Sequence, residues 1–288
     1  MNTPHLVFSA MLLLAVSARY ASAEQSAKLG ENAALRYWSA FAEMQDSVIT
    51  DQQAKELNTI LDGTAPYEDL KHKYLVEKNR PALETMARAT VLPTCDWGVE
   101  YLLGTEAPVE YVRKALALGR LNVLYTFHLL TAGDKDDAVR VLVAGLRFSH
   151  DTANGGTLFA TAAAKTLIVQ HLRAAAFVQH GAGLSAAQRS MLQKAVAQLG
   201  PDGLDWQSAM KRELEILRGR NSQASAALAR IMPSYLNTLN NPSDLPELQK
   251  MIAGAPPPLP DIIPNPKRVL EEKQDLTDKL VQARSWLR

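Results

Sequence analysis

The chain has 288 residues and a mass of 31.5 kDa, enough for one large domain or two modest ones and enough to bury a core without disulfide or metal staples. Hydrophobic residues make up 47% and charged residues 21%, ordinary globular usage that argues against wholesale disorder. The 31 basic and 30 acidic residues give a formal net charge of +1, without the basic excess of a nucleic-acid binder, and the single cysteine excludes a disulfide framework or a multi-cysteine metal site.

The first predicted element is a secretory signal. Residues 6–16 are apolar apart from Ser9, the length of a signal core and too short to span a bilayer. Ala21-Ser22-Ala23 supplies small residues at the −3 and −1 positions, which places cleavage after Ala23, with Val16-Ser17-Ala18 as a second option. No Lys or Arg precedes the apolar run. Loss of residues 1–23 removes Arg19 and no acid, leaving a formally neutral mature chain. No later stretch approaches 18 uninterrupted apolar residues, so no membrane span is expected in it. The expected address is the periplasm or the exterior.

Helical periodicity follows almost throughout. Ala34, Tyr37, Trp38 and Phe41 recur at i, i+3, i+4 and i+7, one apolar stripe on one helix. A second helix starts at Thr50-Asp51, runs through Leu57, Ile60 and Leu61, and stops at Gly63. A third is predicted from Pro81 to Thr90, with Pro93 beyond it. Pro108 to Thr131 carries Val112, Leu116, Leu121, Leu124 and Phe127. Gly133-Asp134 breaks that run, and Asp136 to Asp151 resumes it with Val139, Leu142, Val143 and Leu146. After Asn154-Gly155-Gly156, Thr157 to His180 reads as an Ala-rich helix closed by Gly181 and Gly183. Ser185 caps Ala186 to Leu199, and Asp205 opens a run to Arg218. Period-two runs joined by hairpin turns do not occur.

The fold class is therefore all-α. The short link at Gly133-Asp134 forces its two helices antiparallel, and its glycine-then-alanine order resembles the turn of a tetratricopeptide hairpin. No 34-residue period repeats elsewhere, so the expectation is an irregular bundle or short solenoid of antiparallel hairpins. Six prolines between Pro256 and Pro266 favour an extended polyproline linker over 254–266. Asn265-Pro266 then starts a charged C-terminal helix over 267–288. Its apolar residues Val269, Leu276, Leu280, Ala283 and Leu287 form a narrow seam interrupted by Lys273, able to dock on the helical domain 24–253 or to pair with another chain.

Thr94-Cys95-Asp96-Trp97-Gly98 is the most unusual string. A reactive thiol needs a nearby cation or helix N-terminus, whereas Asp96 opposes ionisation and no histidine is adjacent. Packing explains it better: Asp96 caps a turn while Cys95 and Trp97 plug the core. His128 and the His150-Asp151 doublet resemble the metal ligands of histidine–aspartate phosphohydrolases, in which one histidine, a His-Asp doublet and a later aspartate hold the metals. That resemblance implies a metal-dependent hydrolase, although Thr152-Ala153-Asn154 departs from the family's continuation. Asn154-Gly155-Gly156-Thr157 lacks the spacing and lysine of a phosphate loop, and Asp134-Lys135-Asp136-Asp137 lacks the alternating ligands of a calcium loop. Glu43, Glu68, Glu100 and Glu106 supply acids of unknown separation, and Lys211, Arg212, Arg218 and Arg220 alternate with glutamates as on a solvated face. No complete catalytic set and no cofactor motif emerges.

Asn32-Ala33-Ala34-Leu35-Arg36-Tyr37-Trp38, Cys95-Asp96-Trp97-Gly98 and His150-Asp151 with the Gly-Gly-Thr-Leu that follows together resemble a group of exported all-α bacterial proteins of unknown function. The likeness spans about residues 31 to 180 and implies a helical fold and export, with no activity or cofactor attached. The expected role is that of a non-enzymatic binding or scaffold protein of the cell envelope. Its partner would be a peptide or protein held in a groove between hairpins.

Overall fold

The computed structural model describes residues 30–45, 51–101, 103, 109–220 and 225–288; the expected signal segment 1–23, Thr50, Glu106 and Pro108 lie outside these. The described residues are almost wholly helical and contain no strand, only an isolated bridge between Asn32 and Thr94.

Helix α1 (Ala33–Glu43) begins at Asn32, whose side chain accepts the backbone N–H of Ala34 at 3.1 Å. Its inner face is Ala33, Ala34, Tyr37, Ala40 and Phe41, while Trp38 sits at the stripe's edge with 43% of its surface exposed. Helix α2 (Asp51–Leu61) ends before Gly63 as the sequence suggested. Helix α3 (Asp69–Ala89) corrects the predicted start at Pro81, which lies inside it. Proline removes one helical bond, and here it sits on the exposed face where water can serve the Glu77 carbonyl.

Helices α4 (Glu110–Thr131), α5 (Lys135–Ala153) and α6 (Leu158–Phe177) form the centre, α4 packed against α5, α5 against α6, and α4 also against α6. Between α4 and α5, Gly133 adopts φ 84°, a conformation that costs a side-chain-bearing residue energy. Asp134 then caps α5 by accepting from Asp137 N at 3.1 Å. Thr157 caps α6 by accepting from Ala160 N at 3.1 Å, so the Asn154-Gly155-Gly156 string is an interhelical turn. The α-helix stops at Phe177, earlier than the predicted His180, and a π-helical turn (Val178–Ala182) follows.

Helix α7 (Ala186–Gln198) opens with a capping box between Ser185 and Gln188. Helix α8 (Trp206–Arg220) pairs with α9 (Ser225–Thr238), and a 3₁₀ turn leads to α10 (Leu245–Ala253). Neither α9 nor α10 was anticipated. The stretch read as extended polyproline contains a helical turn, α11 (Leu259–Ile262), because Leu259 and Ile263 are drawn into the core.

Helix α12 (Pro266–Leu287) starts as predicted, with Asn265 accepting from Arg268 N at 3.2 Å and Pro266 at the first position. All five seam residues are buried against α6 and α7, so the seam is occupied within the chain and is no free surface for pairing with another copy. Lys273 does not break the seam: its ammonium reaches Asp202 at 3.0 Å and the Leu239 carbonyl at 2.9 Å. Lys165 on α6 adds Asp275 at 2.7 Å. One apolar cluster runs from Ala33 to Leu287. No described helix is long and apolar enough to cross a membrane.

Candidate functional site

The strings 32–38, 95–98 and 150–151 meet in space. The Asn32 side chain donates to the Asp96 carbonyl and accepts from the Asp96 N–H, both at 2.8 Å, and Ala33 N donates to Thr94 O at 2.7 Å. This clasp lays Cys95 and Trp97 against the last turn of α5. Trp97 Nε1 donates to the Asp151 carbonyl at 2.8 Å, and Cys95 Sγ lies 3.7 Å from the same oxygen. Tyr37 from α1 donates its hydroxyl to Asp151 Oδ2 at 2.8 Å. Arg147, one turn earlier on α5, places Nε 3.1 Å from Oδ1 and 3.2 Å from Oδ2.

Aromatic rings close the hub. Trp97 stacks on Tyr111 with centroids 4.2 Å apart, on Tyr37 at 5.7 Å and on Phe41 at 5.9 Å, while Phe148 meets Tyr37 edge-on at 4.8 Å. The Asp151 side chain is fully buried, and burial pushes its carboxyl above the usual range despite the opposing pull of Tyr37 and Arg147. Burial, with the Asp151 charge next in weight, likewise raises the Tyr37 hydroxyl.

Cys95, Asp96 and Trp97 are therefore parts of this joint. Asp96 is exposed and caps its own turn, its Oδ1 accepting from Gly98 N at 2.9 Å. Cys95 is half-buried where burial was expected, and desolvation first, then Asp151, raises its thiol well above the ordinary value. Iodoacetamide should accordingly label Cys95 more than tenfold slower in the native protein than after unfolding, read by intact mass. Equal rates would contradict the environment described.

The metal reading does not assemble. His128 is not set among apolar side chains: its Nδ1 lies 2.7 Å from Asp69 Oδ1 on α3, and Tyr67 donates to the same oxygen at 3.1 Å. Against a desolvation cost, these bonds hold the Asp69 carboxyl below its usual range. Asp151 faces Tyr37 and Arg147, while His150 lines a different wall of α5. No group of three or more metal-ligating side chains occurs among the described residues. Lys211, Arg212 and Arg218 on α8 are exposed as expected, with Lys211 and Arg212 both facing Glu215; Arg212 also covers the Tyr101 ring at 4.3 Å.

Two concavities flank this framework. The larger, about 680 Å³, lies between the α2–α3 connection, α4 and α6, with Tyr67, Phe127, Leu130, Ala174 and Phe177 among its walls. Phe177 is 60% exposed and meets Phe127 edge-on at 5.5 Å. Arg173 at its rim holds Asp62 at 3.1 Å. The smaller, about 370 Å³, is bounded by 90–93, by Val143, Arg147 and His150 of α5, and by the end of α7. Sequence reasoning missed Arg147 and Arg173, and it named Asn32 only as part of a string, with no role. Only Arg147 left a signal, an arginine and an aspartate four apart on one helix.

Fold and site thus define an all-α protein with a closed aspartate–aromatic joint and open clefts beside it. No family model matches the chain, and neither a curated protein nor a solved structure is found to be similar to it.

Proposed function

We propose that the chain is an exported, non-enzymatic binding protein of the cell envelope that takes an apolar segment of a peptide or partner protein in the cleft between the α2–α3 connection, α4 and α6. The observation that carries this reading is the cleft itself. Its volume of about 680 Å³ suits one or two large side chains, and its walls are mainly aromatic and aliphatic, with Thr64, Thr131, Gln170 and Arg173 as the polar members. An exposed phenylalanine over such a hollow has the character of an interface anchor. The Arg173–Asp62 pair at the rim supplies polar groups for register, the usual division between an apolar floor and a polar edge.

Fluorescence anisotropy on the full chain tests it, with labelled peptides that carry Trp, Phe or Leu at one position and a matched serine peptide. Saturable binding of the apolar peptides is expected, weakened about tenfold or more by Phe177→Asp. Because Phe177 is 60% exposed, the substitution should lower the unfolding free energy by no more than about 2 kcal/mol, from the lost Phe127 edge contact and an acid at the helix C-terminus. Absence of saturable binding, or binding indifferent to Phe177→Asp, overturns the proposal.

A further inference from the structure

We propose that the cleft bounded by 90–93, α5 and the end of α7 is an oxyanion site, in which Arg147 and His150 hold a small carboxylate or phosphate. It shares no lining residue with the aromatic cleft and does not depend on the reading given to that cleft.

The argument starts from how Arg147 is held. Its Nε is committed to the buried Asp151 carboxylate, which fixes the plane of the guanidinium. Among the described residues Nη1 and Nη2 make no hydrogen bond, and neither is sealed from solvent. A guanidinium pinned at Nε and open at its Nη edge is a fork already oriented for two parallel bonds to an oxyanion. Much of the ordering cost of a long side chain has been met by folding. Asp151 is itself locked by Tyr37 and by the Trp97 bond to its carbonyl, so the fork rests on a rigid base.

His150 stands three residues further along α5, on the same wall. Its Nδ1 is sealed and without a partner, which leaves Nε2 as the nitrogen open to the cleft. Burial keeps the ring toward its neutral form, and a bound anion would favour the protonated one. Gln198, exposed at the mouth, adds an amide. The lining contains no aspartate or glutamate; the Asp151 carboxylate lies behind Arg147, outside the cleft. Apart from Thr90, whose hydroxyl donates to the Ala87 carbonyl, the remaining walls, Val91, Leu92, Pro93, Val143, Ala195 and Leu199, are apolar and leave room for a short hydrocarbon body beside the charged group.

Isothermal titration of the full chain with inorganic phosphate, acetate and butyrate, alongside NMR titration of His150, tests this. One saturable site is expected for at least one anion, with the His150 pKa rising as the anion is added. If the natural ligand is a carboxylate, butyrate should bind roughly threefold to tenfold tighter than acetate, from burial of its extra methylenes; a preference for phosphate assigns a phosphate ester instead. Gln198→Glu, a surface change that leaves the fold intact, should weaken binding several-fold, as should His150→Ala. Silence from all three anions overturns the proposal. So does binding that ignores both substitutions, which would place the anion elsewhere on the surface.

Discussion

Replacing Asp151 by alanine is expected to lower the unfolding free energy by about 3–4 kcal/mol, measured by urea denaturation. The carboxylate is fully buried and is the acceptor for the Tyr37 hydroxyl, which is itself buried. Its removal strands that donor at a cost of about 1–3 kcal/mol. Breaking a buried charge pair from one side typically costs about 3–5 kcal/mol. The value here falls toward the lower end because the Arg147 side chain is 34% exposed and can turn its charge to water. Asp151→Asn keeps an acceptor for Tyr37 and should recover more than half of the loss.

The same pair of proteins reports the charge state. Burial raises the folded carboxyl above its unfolded value of about 3.9, so between the two values the native state binds more protons than the unfolded chain. The stability contribution of Asp151 is then fully present below the unfolded value and is lost as pH rises through the folded one. The wild type should gain on Asp151→Asn as pH falls from neutrality toward about 4. His171 works in the opposite sense, since burial lowers it to about 4 and its contribution is lost on acidification, but it is common to both proteins and cancels. A flat difference across this range would mean that the carboxyl is not displaced.

Elements that begin and end on local chemistry were legible in the sequence. Ser185 and Asn265 cap helices where the sequence placed them, while Asp134 and Thr157, read as part of a break and as a helical residue, turn out to be caps. The failures share one cause, tertiary burial overriding a local signal. Pro81 read as a helix start, yet it lies on the exposed face of a helix held by its buried side. The proline-rich stretch bends into α11 because Leu259 finds a core position. The site was legible as strings and not as a joint. Asn32 and Asp96 are 64 residues apart in sequence, and nothing local announces that one clasps the other. The His150-Asp151 doublet invited a metal reading, but successive helical residues point about 100° apart. One side chain therefore enters the hub while the other enters the cleft.

The second large effect belongs to Gly145, in the middle of α5. A Cβ there would lie 2.1 Å from His171 Nε2 and 2.3 Å from Asn122 Nδ2, so both must move. Neither moves cheaply. His171 is fully buried, with Nδ1 donating to Leu167 O at 2.8 Å and Nε2 accepting from Asn122 Nδ2 at 3.0 Å. Asn122 Nδ2 also donates to Val141 O at 3.0 Å, which ties α4 to α5. Gly145→Ala should therefore combine overpacking of about 1–3 kcal/mol with a buried polar group left unpaired, another 1–3 kcal/mol or so. The better helix propensity of alanine returns about 1 kcal/mol. A net loss of about 3 kcal/mol, or a fall of roughly 6–12 °C in melting temperature, is the expected result. Gly119→Ala is the comparison, because its Cβ meets only the side chain of Leu167, whose closest atom, Cδ2, is 2.6 Å away and belongs to a rotatable tip. Its cost should be about 1 kcal/mol, since a leucine can change rotamer where a doubly bonded histidine cannot. Equal losses at the two glycines would assign the penalty to close helix crossing in general. A loss confined to Gly145 assigns it to the Asn122–His171 bridge, and makes that bridge the element that fixes how α4, α5 and α6 meet beneath both clefts.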